Sequence, residues 1–375
     1  MKTIFTENRV LGEDTPKQAL MAGRIIGSRF KRVAVGREGT KRQSELALIS
    51  GLISSGSDVT SLSECIETEV FFASEVCCCD LCLYIKHDPL IKIDVRERGG
   101  IVLSGTKRQD LEKAFKNGIN ENDLIGGEGD LTESSSLRMV YRNRLLQVFP
   151  KRSAYSVRVG CPGNLRKDLF AFKGGSQELT VSVSSDGTKA SAFSKESGFV
   201  SMEELMMICC LDHFEHGEDA ALPFKFPYAA DGFAKRHGRR ILRYYNTPKD
   251  DSDLEARELA LKQKFTIDGL YLAASALKTL AGKNIDIPQI REYIPRFYRS
   301  KRFIEMPEGR TKQIFQKFSN RNTPDGAAFA KNNSRVILEH SAAGKGIWLT
   351  ADSLSMETAS ELCAGIEERL KNDTF

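Results

Sequence analysis

Between residues 31 and 85 short apolar runs alternate with helical patterns at close intervals, and this alternation limits the fold more than any other feature of the chain. Lys31–Gly36 and Asp58–Leu62 read as strands. Gln43–Ser55 carries Leu46, Ile49, Leu52 and Ile53 at helical spacing, and Glu67–Val76 reads as a second helix. Strand and helix in quick succession mean βαβ units and a parallel sheet, hence an α/β fold. The run Leu81-Cys82-Leu83-Tyr84-Ile85 has no polar face, so it suits the middle of such a sheet, covered on both sides. Lys86, His87, Asp88 and Pro89 end it abruptly. Ligands of open α/β sheets sit outside the carboxyl ends of the strands, so this turn is a site candidate.

At 375 residues the chain exceeds one typical domain. A Gly- and Ser-rich stretch, Gly126–Ser136, marks a first boundary. Ser156–Gly160 and Leu179–Val183 are strands, and Ala190–Phe193 is a returning arm after the turn 184–189. Gly99–Ser104 reads as a hairpin arm followed by a helix over 110–116. Ser201, with Glu204 three residues on, forms a capping box that opens a helix. Further on, 230–237, 250–263, 266–280 and 355–370 read as helices, and 240–245, 336–338 and 347–349 as strands.

Charge excludes some roles. The 55 basic and 50 acidic residues leave a net charge of +5 and are interspersed, so nucleic acid has no electrostatic footprint here. No apolar run approaches the ~18 residues of a membrane span, and the N-terminus has no signal-like apolar region. Nine cysteines, several in apolar runs, fit reduced thiols of a cytoplasmic protein. Cys79 and Cys82 have the spacing of half a zinc site, but no second Cys/His pair follows suitably. Buried thiols are the simpler reading, also for Cys209 and Cys210 near His213 and His216.

Several motifs, in order along nearly the whole chain, resemble those of the α-D-phosphohexomutase superfamily, the phosphoglucomutases and phosphomannomutases. Thr15-Pro16 with Gly23-Arg24, and Val33-Ala34-Val35-Gly36-Arg37 with Ser44, are similar to the opening segments of that family. The turn after Ile85 lies where the family has Thr-Ala-Ser-His-Asn-Pro. Asp186-Gly187 falls on the metal loop, Asp268-Gly269 on a helix start, and Asp325-Gly326 with Val336–Ser341 on the C-terminal phosphate loop. The resemblance implies four domains around a central cleft: 1–135, a shortened 136–217, 218–304 and 305–375. The first three would be α/β/α layers with mixed sheets, and the last an α+β phosphate-loop domain.

The family moves a phosphoryl group through a serine beside a Mg²⁺ held by carboxylates. The resemblance places Lys86 at the serine position and His87 beside it. Asp186 is the one metal-loop carboxylate kept, with Thr188 and Ala190 at the other two positions and Lys189 between them. Ser341 remains in the phosphate loop, but Glu339, Ala343 and Gly344 replace an arginine, a threonine and a glutamate. In place of the sugar-reading loop, Leu254–Leu261 reads as plain helix. The sequence therefore predicts a silenced mutase without bound Mg²⁺. The alternative is an active mutase with a displaced nucleophile such as Ser184 or Ser185. Arg37, Lys86, His87, Lys189, Ser341 and Lys345 are candidate ligands of a sugar phosphate or other anion. A Schiff base on Lys86 would need a desolvated amine. Related mutases dimerise through the first domain, so the resemblance also implies a homodimer or a heteromer with an active paralogue.

Overall fold

The computed structural model describes residues 4–6, 8–13, 15–39, 42–86, 90–118, 127–151, 155–160, 171–172, 177–318, 322–331, 334–341 and 346–372. His87, Asp88, Pro89 and Lys345 lie outside them. The chain divides into two compact units, residues 1–206 with 247–284, and residues 207–246 with 285–375.

The first unit begins with a hairpin, β1 (Ile4–Thr6) and β2 (Arg9–Glu13), then α1 (Pro16–Gly27), β3 (Arg32–Arg37), α2 (Arg42–Ile53), β4 (Asp58–Glu64), α3 (Glu67–Val76), β5 (Leu81–Ile85), β6 (Leu90–Glu97), α4 (Gly105–Asn117), β7 (Leu131–Glu133) and α5 (Leu137–Val148). Thr15 caps α1 through its side chain, with Pro16 in the first turn. The strands form one sheet in the order β1-β2-β6-β5-β3-β4-β7. The absence of a polar face on β5 is explained by its place. Leu81, Leu83 and Ile85 join the core with Leu48, Leu52 and Ile26 on one face. Cys82 and Tyr84 pack with Val70 and Phe71 of α3 on the other.

The sheet is mixed where a parallel one was expected around this strand. Strand β5 runs parallel to β3 but antiparallel to β6. The missing signal was in β6, whose Ile91, Ile93 and Val95 alternate with Lys92, Asp94 and Arg96. The expected hairpin arm at 99–104 is a 3-10 turn over Arg98–Gly100 followed by irregular chain. Helix α4 starts earlier than expected because Ser104 caps it by accepting from the Lys107 N–H.

A second sheet, β12-β11-β10-β8-β9, comprises β8 (Tyr155–Gly160), β9 (Ala171–Phe172), β10 (Gln177–Val183), β11 (Ala190–Ser194) and β12 (Gly198–Val200). Strands β8 and β10 are parallel, whereas β11 returns antiparallel to β10. Helix α6 (Met202–Glu215) opens on the expected cap, Ser201 accepting from the Glu204 N–H at 3.1 Å, and carries the chain into the second unit. There β13 (Ala220–Pro223), α7 (Ala229–Arg236) and β14 (Ile241–Tyr244) make a parallel βαβ pair. Helices α8 (Leu254–Gln263) and α9 (Gly269–Lys283) belong to the first unit, where α9 packs on β10 and β11.

The second unit resumes with α10 (Ile287–Ile290), β15 (Tyr298–Glu305), α11 (Glu308–Lys317), β16 (Asn322–Thr323), β17 (Gly326–Lys331), β18 (Ser334–His340), β19 (Gly346–Ser353) and α12 (Met356–Lys371). These strands form an antiparallel sheet, β15-β19-β18-β17-β16. Ile304, Leu338 and Leu349 close its core with Ile314, Phe315 and Cys363 of the helices.

Candidate functional site

Lys86 follows the last residue of β5, and its ammonium sits among three carboxylates. Nζ lies 2.8 Å from Asp94 Oδ2, 3.0 Å from Asp186 Oδ2 and 3.3 Å from Glu67 Oε2. Different elements bring these groups together. Asp94 is opposite Tyr84 in the β5–β6 register and opposite Arg9 in the β2–β6 register, and its carboxylate also pairs with the Arg9 guanidinium. Glu67 is the first residue of α3, where the helix dipole favours a negative charge. Asp186 is in the turn between β10 and β11.

That turn is held from both sides. Asp186 Oδ1 accepts from the Ser184 hydroxyl at 2.6 Å, the Thr188 hydroxyl at 2.7 Å and the Thr188 N–H at 3.0 Å. The Glu67 N–H donates to the Asp186 carbonyl, and the Gly269 N–H to the Gly187 carbonyl. Gly187 has φ +82°, and a Cβ there would come within 2.6 Å of Thr68 Oγ1 and 2.8 Å of Ile66 Cδ1. A Cβ at Gly269 would lie 2.5 Å from the Lys189 backbone. Asp268 caps α9 by accepting from the Tyr271 N–H at 2.9 Å and takes the Tyr141 hydroxyl at 2.7 Å. Burial pushes the Asp268 carboxyl up to about 6.

The three carboxylates share their cations unequally. Among the described residues Lys86 and Arg9 pair with them directly, and Arg96 acts on Glu67 through its charge alone. Burial works against the charge of Asp94, but Arg9 and Lys86 overcome it and hold the carboxyl below its ordinary value. Burial also opposes ionisation of Asp186, and the Ser184 and Thr188 donors with Lys86 more than offset it, leaving the carboxyl far below its usual range. Glu67 receives the least help. Burial, then the neighbouring Asp94, push it up to about 7 against the pull of Lys86. Its Oε1 is buried and has no hydrogen-bond donor among the described residues. Burial disfavours the charged form of Lys86, yet Glu67, Asp94 and Asp186 together raise its pKa well above the ordinary value. The three carboxylates favour the protonated amine, and a protonated amine has no lone pair for the attack a Schiff base needs.

The magnesium ion implied by the resemblance does not fit these residues. A dication needs several oxygen ligands converging on one point, and the point on which Glu67, Asp94 and Asp186 converge holds the ammonium. Among the described residues no group of three or more His, Cys, Asp or Glu side chains is arranged to hold a metal ion. The Cys79–Cys82 spacing builds nothing either: Cys82 Sγ is 3.0 Å from Ser74 Oγ, and burial pushes the Cys82 thiol up to about 12 and that of Cys79 up to about 11.

No family model matches the chain. A protein of Methanosarcina acetivorans described as "Probable phosphoglucosamine mutase" is 29% identical over 124 residues, which cover 30% of this chain and 28% of that protein. The match thus spans under a third of that relative. A solved phosphoglucomutase/phosphomannomutase family protein from Burkholderia thailandensis is similar over 98% of both chains, with a TM-score of 0.73 and 15% identity. The phosphoglucomutase pp63/parafusin of Paramecium, in its open form, is similar over 99% of this chain and 96% of its own, with a TM-score of 0.60 and 12% identity. The chain carries the phosphohexomutase fold.

Within the phosphohexomutase fold, the candidate residues separate by environment. Arg37, at the carboxyl end of β3, gives its guanidinium to Glu45 at 2.7 Å and Glu64 at 3.8 Å. Its neighbour across the sheet is Ile85, next to Lys86. Lys189 is exposed on the Asp186 turn. Ser341 belongs to the second unit, where its N–H donates to the Gly346 carbonyl. Glu339 pairs with Lys225. His87 and Lys345 fall outside the described residues. Sequence reasoning missed Arg9, Glu67 and Asp94, the other members of the Lys86 cluster. A usable signal was Asp94 itself, a carboxylate inside the alternating run Ile91–Val95. No helix among the described residues is long and apolar enough to cross a membrane.

Proposed function

We propose that this chain is a phosphohexomutase-fold protein that no longer transfers phosphoryl groups and acts by binding, in sugar-phosphate metabolism. One observation supports the reading: the Lys86 ammonium lies about 3 Å from Asp94, Asp186 and Glu67, and on this reading it stands in for both the phosphoryl-carrying hydroxyl and its metal ion. Phosphoryl transfer is positioning plus charge neutralisation around an oxygen nucleophile. A protonated amine supplies charge but no nucleophile. Loss of one such element typically costs ~10²–10⁴-fold in rate, and here nucleophile and metal loop change together. Ser184 is a poor substitute nucleophile, because its Oγ donates to Asp186 and accepts from the Lys189 N–H.

The activity left to such a fold is to bind a hexose phosphate without converting it, or to associate with an active paralogue. Isomerisation of glucose 1-phosphate, mannose 1-phosphate or glucosamine 1-phosphate, assayed with Mg²⁺ and a sugar bisphosphate, proceeds no faster than without protein. Lys86→Ser restores a hydroxyl but not the metal loop, so it stays silent too. Turnover by the wild type would overturn the proposal. A rise in melting temperature with hexose phosphate would support ligand binding.

A further inference from the structure

The second unit holds a pocket of about 470 Å³ to which the reading above gives no role. It lies where α7 ends, against the chain that follows α10 and the turn before α12. Phe233, 1% exposed, lines it, with His237 edge-on at 4.9 Å between ring centroids. The Arg236 guanidinium lies over the Phe233 ring at 5.7 Å. Arg296 and Glu292 line the same space. So do Tyr293 and Leu354, which keep 60% and 49% of their surfaces exposed.

The arginines are the unusual part. Elsewhere in this unit Arg243 pairs with Asp231, Arg240 with Asp219 and Arg335 with Asp352. Neither Arg236 nor Arg296 has a carboxylate partner among the described residues. Two uncommitted guanidiniums beside exposed aromatic and apolar surface make a mixed recognition surface. Guanidinium forks match phosphate oxygens. An exposed tyrosine ring and a leucine lining the same space offer apolar surface for a planar base. A carboxylate accepts hydrogen bonds from neighbouring hydroxyls, which gives Glu292 a role with a ribose. The volume is within the ~300–1,000 Å³ of small-molecule pockets.

We propose that this pocket binds a nucleoside phosphate, with the base on Tyr293 and Leu354 and the phosphates on Arg236 and Arg296. Free phosphate would leave the aromatic face unused. The proposal is independent of the silent mutase reading, since every residue in it lies outside the Lys86 cluster.

Calorimetric titration of the full chain with ADP, adenosine, inorganic phosphate and glucose 1-phosphate tests it. ADP binds saturably and more tightly than the other three. Arg236→Ala and Arg296→Ala each weaken ADP at least ~10-fold, the size expected for a lost charge-assisted contact. Tyr293→Ala weakens it ~10-fold and Tyr293→Phe leaves it within about twofold, as stacking requires. Lys86→Ser leaves ADP affinity unchanged, and melting temperatures confirm that the variants fold. The proposal is overturned if ADP does not saturate the wild type, if the arginine variants bind it equally well, or if glucose 1-phosphate binds as tightly at the same residues.

Discussion

Lys86 and Arg236 are both cations beside aromatic or apolar structure, yet they sit in opposite electrostatic settings. Lys86 is enclosed by three carboxylates within 3.3 Å and its charge is spent inside the fold. Arg236 faces an open pocket, lies over an aromatic ring and has no carboxylate partner among the described residues. A buried charge removed from a paired cluster leaves uncompensated partners behind, whereas an exposed charge leaves only solvent. The difference shows that a lysine at the carboxyl end of a strand need not be a ligand hook. Its partners decide whether it is a structural counter-ion or a recognition group.

Lys86→Ala should produce the largest effect. It leaves Glu67, Asp94 and Asp186 without their shared ammonium, with Arg9 still paired to Asp94 and Arg96 still acting on Glu67, and deleting one member of such a buried cluster costs about 3–5 kcal/mol. Denaturant unfolding measures it. A loss below about 1 kcal/mol would mean the ammonium is not the counter-ion described. The next effect is in pH. The Glu67 carboxyl rises from 4.5 to about 7, so the folded state holds a proton that the unfolded state releases. The stability linked to that proton is fully present below pH 4.5 and is lost as the pH rises through about 7, by up to about 3 kcal/mol. Glu67→Gln should flatten this slope. Asp186 works the other way: its depressed carboxyl contributes stability above its ordinary value of 3.8 that disappears in acid.

Smaller changes sharpen the contrast. Gly187→Ala combines a left-handed backbone with a Cβ 2.6 Å from Thr68 Oγ1, and should cost about 1–3 kcal/mol. Calorimetric melting of that variant checks it, and an unchanged transition would mean the turn is not clamped against α3. At the bottom of the scale, Arg236→Ala and Arg296→Ala should alter unfolding free energy by no more than about 0.5 kcal/mol. A larger loss would make them structural, like Arg335, whose guanidinium is tied to Asp352 and to the Phe224 carbonyl.

Much of the fold was legible because its signals are local. Helix Glu67–Val76 and strand Leu81–Ile85 have the bounds read from the sequence, since an apolar run between polar breaks fixes both ends. The Ser201 and Thr15 caps were readable from residue type and spacing alone. Helix α5 was missed because only Tyr141 and Leu145 of its twelve residues are buried, too few to set a period. The structure places Lys86 directly after β5, Asp186 in the turn between β10 and β11, and Asp268 at the start of α9. What the sequence could not show is that Lys86 meets Asp186 a hundred residues away, with Glu67 and Asp94 arriving from a helix and an antiparallel strand. Such meetings depend on sheet register and on a turn packed over a helix end, and no spacing rule encodes them. The open pocket beside Arg236 was invisible for the same reason, as its walls come from three separated segments.

The account turns on whether an internal ammonium has taken the place of an external dication. Unfolding of the wild type and of Lys86→Ala, each followed with millimolar Mg²⁺ and with EDTA, tests this directly. The wild type should melt at the same temperature in both, and Lys86→Ala should recover part of its lost stability when Mg²⁺ is present. A wild type that is stabilised by Mg²⁺ and weakened by EDTA, with Lys86→Ala indifferent to both, would contradict it.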